Sequence, residues 1–191
     1  MGKLLFELHD ELIPTLRMGE IESCERVLLN RLAAIRESPF HIALDLTITN
    51  NPSDIAAYFD GFFRKESLRF DIRAAYAEMN GFDINTDRWY FDVFAFTEYG
   101  GRDDYDWLAD WESERYPEMT ITGLEPLQKV YEESYDDENF GDASDVVTLL
   151  VVTKFQDLIR RATADMSELR FPLLATTHDF DAFIYEARRV D

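Results

Sequence analysis

The run Trp89-Tyr90-Phe91-Asp92-Val93-Phe94-Ala95-Phe96 constrains this chain more than any other segment. Eight residues with a single charge are too few for a stable helix and too apolar for a surface strand. Such a run reads as a strand with both faces covered. Upstream, Phe70, Ile72, Ala74 and Tyr76 alternate, and Asn80-Gly81 and Asn85 mark a turn between the two arms. Residues 69–98 therefore read as a hairpin, although Ala74, Ala75 and Ala77 also suit a helix in the first arm.

Covering both faces of that hairpin takes amphipathic helices, and the chain supplies them. Leu4, Leu5, Leu8, Leu12 and Leu16 recur at helical spacing, with Pro14 expected to strain the helix or end it near Ile13. Ile21, Cys24, Leu28, Leu32 and Ile35 form a second stripe. Ile55, Tyr58, Phe59, Phe62 and Phe63 form a third, capped by Asn51 with Pro52 at the first helical position. Between them, Phe40, Ile42, Leu44, Leu46 and Ile48 alternate with His41, Ala43, Asp45, Thr47 and Thr49, which predicts a strand. Further on, the pattern predicts a short strand at 119–122, a helix from Pro126 to Ser134 and a long helix from Ser144 or Asp145 to about Asp165. Two short strands, 171–177 and 181–188, follow. At 191 residues this is a single α+β domain, 1–191. Its expected architecture is a central mixed or mostly antiparallel sheet with N-terminal helices and further helices on its faces.

Charge narrows the functional classes. The net charge is −20, and residues 98–145 alone hold sixteen acidic residues against three basic ones. Tyr105, Trp107, Trp111, Tyr116, Tyr131 and Tyr135 are interleaved with those acids, a mixture that suits a folded acidic surface better than a disordered tail. No dense basic block exists to neutralise phosphates, so direct nucleic-acid binding and attachment to anionic membranes are not expected. A basic protein partner fits the field. Cys24 stands alone, which excludes an internal disulfide and points to a reducing compartment, so a cytoplasmic location is expected.

Within the acidic segment, Asp103 is placed to cap a helix running to about Arg115 with Trp107, Leu108 and Trp111 on its buried side. Asp103, Asp106, Asp110 and Glu114 then share another face. Together with Asp136 and Asp137 of a downstream loop, they are the candidate partner-binding residues. That loop fails as a calcium site, because Phe140 and Val147 fall where an oxygen ligand and a bidentate Glu are required. The alternative chemistry is catalytic: His41 and Asp45 on one predicted strand face, with Asp92 on another, could pair a general acid with a base. Glycine-rich phosphate loops, a nucleophile elbow and zinc-binding Cys pairs are all missing from the sequence, so no cofactor or metal is implied.

The leading expectation is a non-enzymatic binding module for a basic protein, of inhibitor or immunity type or a mimic of nucleic-acid charge. A small metal- or His/Asp-dependent hydrolase or transferase is the second. The third, read from the doubly apolar run 89–96, is a structural subunit of a homo-oligomer, in the simplest case a homodimer.

Overall fold

The computed structural model describes residues 3–82, 85–102, 104–134, 140–166, 168–178, 180 and 183–187. Helices α1 (Lys3–Arg17), α2 (Ile21–Ala34) and α3 (Pro52–Glu66) lead into the hairpin β1 (Ala74–Asn80) and β2 (Tyr90–Phe96). The two-residue β3 (Met119–Thr120), α4 (Glu125–Ser134), α5 (Gly141–Asp165), β4 (Leu173–Thr177) and β5 (Tyr185–Ala187) follow. The sheet order is β3-β2-β1-β4-β5. It is mixed: β1 runs parallel to β4 and every other pairing is antiparallel. This is the expected α+β domain.

Strand alternation sends Ala75, Ala77, Met79, Phe91, Val93, Ala95, Leu173 and Ala175 to the helical side, where they join the main core. Helix α5 is the spine of that core. From Ala143 to Ile159 all but Asp145 and Asp157 are buried, and α5 packs against α1, α2, α3 and β4. Asp145 does not cap α5, which starts at Gly141. Its carboxylate instead accepts the Leu5 N–H (3.2 Å), one of the donors that the first turn of α1 leaves without a helical partner.

Two expected elements take a different form. Helix α1 runs through Pro14 to Arg17, because Leu5, Leu8, Leu12 and Leu16 are all buried. Burying four leucines, at about 1.5–3 kcal/mol each, outweighs the roughly 3 kcal/mol an internal proline costs. The strand expected over 40–48 is instead a 3₁₀ helix, Pro39–Leu44, followed by irregular chain. Ser38 donates its backbone N–H to Nδ1 of His41 (3.1 Å), and Pro39 fixes the first turn. Phe40 and Ala43, three apart, are buried, whereas Ile42 and Leu44 face outward.

Strand β3 is short for a local reason. Continuing its register with β2 (Phe91 opposite Met119) would place Pro117 opposite Val93. Proline has no N–H to give the ladder, and the chain turns away there. The free edge of β3 is covered by Asn50, whose amide donates to Thr120 O (2.8 Å) and whose Oδ1 accepts the Thr122 N–H (2.8 Å). Among the described residues, no helix is long and apolar enough to cross a membrane.

Candidate functional site: the outer face of the sheet

Among the described residues, the α-helices pack on one face of the sheet and not on both as expected. On the other, residues 97–118 lie as a strap across one half. Leu108 packs there into a small second core with Ala74, Tyr76, Phe96, Leu174 and Ile184. The expected helix 103–115 is not formed over the described residues 104–115, where the only regular piece is a 3₁₀ turn, Asp106–Ala109. Trp107 and Leu108 are drawn onto the sheet rather than onto one helical side. Trp107 packs edge-on to Phe96 (centroids 4.9 Å apart) and Tyr99 (5.6 Å), and its indole N–H donates to Gly101 O (3.3 Å). A side chain at Gly100 would meet that indole at 2.3 Å. Asp104 Oδ1 accepts the Asp106 N–H (3.0 Å), a local turn that competes with helix.

Each end of the strap is tied to the body by charge. At one end, Glu186 accepts from Tyr99 Oη (3.0 Å) and from the Arg102 guanidinium. At the other, the fully buried Glu66 carboxylate meets Arg69, lies 3.8 Å from Lys65 Nζ and accepts the Glu114 N–H (3.3 Å). Glu114 itself turns back to Lys65 (3.2 Å) and Arg69 (3.7 Å), and the Lys65 ammonium, then Arg69, hold its carboxyl below the ordinary range.

The candidate partner-binding residues therefore separate. Asp106 and Asp110 are exposed on the strap, while Glu114 is spent on its anchorage. Asp103, Asp136 and Asp137 lie outside the described residues. Between the anchors, Asp104, Asp106, Asp110 and Glu112 are all exposed, and none forms an ion pair with a described basic residue. Trp111 stands among them, 49% exposed, resting on Phe94 with ring centroids 4.9 Å apart.

The catalytic grouping of His41, Asp45 and Asp92 is not assembled. The 3₁₀ helix holding His41 packs on α2, α4 and α5, and Asp45 ends it. Asp92 lies beyond them, on the outer face of β2. Its true neighbours went unflagged in the sequence: Glu78 directly opposite on β1, Asn80 donating to its Oδ2 (3.2 Å), and His178 bonding Glu78 (3.0 Å). The one available signal was alternation, which sets 76, 78 and 80 on one face of β1 and 90, 92 and 94 on one face of β2. Among the described residues, no group of three or more His, Cys, Asp or Glu could hold a metal ion. Cys24 is buried with its thiol pushed up to about 11 by that burial, an inert core residue.

Burial, reinforced by the Glu118 charge, raises the Asp92 carboxyl above its ordinary value. Ionising Asp92 therefore costs the folded state more than the unfolded one. That penalty is absent below the unfolded pKa, near 3.9, and grows as pH rises through the folded value. Asp92→Asn should be more stable than the parent at pH 7–8, with the gap closing toward pH 3.5, read from thermal midpoints across that range. A variant less stable than the parent at pH 7 would contradict this placement.

No protein-family model matches this chain, and no curated protein or solved structure matches it either.

Proposed function

We propose that this protein is a non-enzymatic binding module that docks a basic protein on the strap side of its sheet. The observation that carries the reading is the contrast between its acids. Glu66, Glu114, Glu118, Asp157 and Glu186 are matched to arginine or lysine, whereas the exposed acids of the strap centre have no ion pair with a described basic residue and surround a half-exposed tryptophan. The strap, residues 97–118, carries eight acids against two arginines. A field of that sign steers a cationic partner, and exposed tryptophan is the side chain most often concentrated at binding hot spots. Binding would act by occluding the partner's basic surface, as an inhibitor or charge mimic does.

Replacing Asp103, Asp106 and Asp110 together with Asn should slow association with the partner by about tenfold at low salt and flatten its salt dependence. The partner is to be captured at low ionic strength and the rates measured by stopped flow. Failure to retain any basic protein, or an unchanged rate in the triple variant, would refute the docking role.

A further inference from the structure

The outer face, at the margin of the second core, has an order that unspecific acidity does not need. The register of β1 and β2 puts Tyr76 opposite Phe94 and, one step along, Glu78 opposite Asp92. Side chains two residues apart on a strand share a face and stand roughly 7 Å apart. The face thus sets an aromatic row, the partly exposed Phe94 with the buried Tyr76 behind it, beside a carboxylate row. Trp111 extends the first: its ring lies 4.9 Å from Phe94, and Phe94 stacks on Tyr76 at 6.1 Å with 28° between planes.

The second row is unusual because like charges directly across a strand pair destabilise it. Neither carboxylate is paired with a described arginine or lysine. Asp92 takes an amide hydrogen bond from Asn80, and Glu78 takes one contact from His178. Glu118, close by, takes the ion pairs of Arg88 and Arg115, which act on Asp92 only through their longer-range field. Burial, then the Glu118 charge, raises the Asp92 carboxyl, and the field of Arg115 and Arg88 offsets this only in part.

We infer that the two rows form a recognition site for an arginine side chain of the basic partner. Its guanidinium plane lies over Trp111 and Phe94, and its N–H groups reach the carboxylates of Glu78 and Asp92. This inference rests on the docking function proposed above and adds the chemistry of the contact. Arginine fits where lysine does not. Its planar, weakly hydrated head stacks on aromatic rings, and its fork of donors bridges two carboxylates, whereas an ammonium is a compact, strongly hydrated point charge. A small free cation would leave the exposed strap acids unused. A protein segment carrying several positive charges engages both.

The test uses octa-arginine and octa-lysine peptides of equal length and charge, titrated against the full chain at low salt by calorimetry. Octa-arginine should bind about five- to tenfold more tightly than octa-lysine. Trp111→Ala, Asp92→Asn and Glu78→Gln should each bring that preference close to one, whereas Asp142→Asn, which removes an exposed acid on α5, should leave it intact. Circular dichroism confirms that each variant is folded, and Glu78→Gln serves if Asp92→Asn perturbs the strand. Equal affinities in the parent, or a preference that survives all three site variants, would overturn the arginine site and leave the docking function standing. No binding of either peptide would remove both.

Discussion

Gly123→Ala is expected to lower the stability of this protein by about 4 kcal/mol, which for a chain of this size is a fall in Tm of roughly 8–16 °C. Two independent costs add. Gly123 has φ +94°, where a Cβ is strained by about 1–3 kcal/mol. That Cβ would also stand 2.3 Å from Thr47 O and 2.8 Å from Thr49 Cγ2, an overpacking cost of similar size. The clash falls on backbone, so no rotamer change relieves it. The only escape is to separate residues 47–50 from 120–123. That would break Thr49 N–H to Thr122 O (2.9 Å), the Thr49–Thr122 hydroxyl contact (2.9 Å) and the Asn50 bonds that close the β3 edge. Gly101 is the internal control. Its φ is +92°, but nothing lies within 4 Å of an added Cβ, so Gly101→Ala should show the backbone cost alone, about 1 kcal/mol. Equal losses in the two variants, measured by chemical denaturation, would show that the packing against Thr47 is not rigid.

The elements that could be read in the sequence are those in which one interaction dominates. Helices α2 and α3 appear where their stripes place them, because each apolar face meets the same core along its length. The Asn51 cap is realised through the Ser53 N–H (3.1 Å). The hairpin is equally direct, and the first arm resolves as strand despite its alanines, since β1 is flanked on both sides by β2 and β4 and small residues suit a buried centre. Two readings failed where periodicity had a second origin. The alternation over 40–48 coincides with a 3₁₀ helix stabilised by Ser38 and His41. The spacing of Trp107, Leu108 and Trp111 mimics a helix but serves a loop whose side chains reach down onto a sheet.

The candidate site was the least legible part, because cross-strand register builds it. Asp92 drew notice as the one charge in an apolar run. Glu78 did not, since an acid in an alternating strand looks like an ordinary outward-facing residue until pairing sets it against Asp92. The anchorage of the strap was hidden in the same way. Glu114 belonged on paper with Asp106 and Asp110, and only the tertiary approach of Lys65 and Arg69 removes it from the docking surface.

That anchorage supports the second large effect. Glu66 is a carboxylate with no solvent exposure, and Arg69 is its closest cation, with Lys65 further off at 3.8 Å. Arg69→Met keeps much of the aliphatic volume and removes the charge, leaving Glu66 buried beside one distant ammonium. Breaking a buried pair from one side costs about 3–5 kcal/mol. The remaining Lys65 places this variant near the lower end, at about 3 kcal/mol. Because the penalty belongs to the stranded carboxylate, Glu66→Gln introduced into Arg69→Met should restore part of the loss, the reverse of what additive damage would give. The same variant bears on the docking surface. Glu114 loses Arg69 and its backbone bond to Glu66 weakens, so amides around 112–118 should exchange faster than those of β1 and β2, which keep their sheet partners. Exchange that quickens equally across the whole sheet would mean that the strap and the core open as one unit. Exchange confined to the strap would make Glu66 and Arg69 the fixed point from which the acidic surface is held in place.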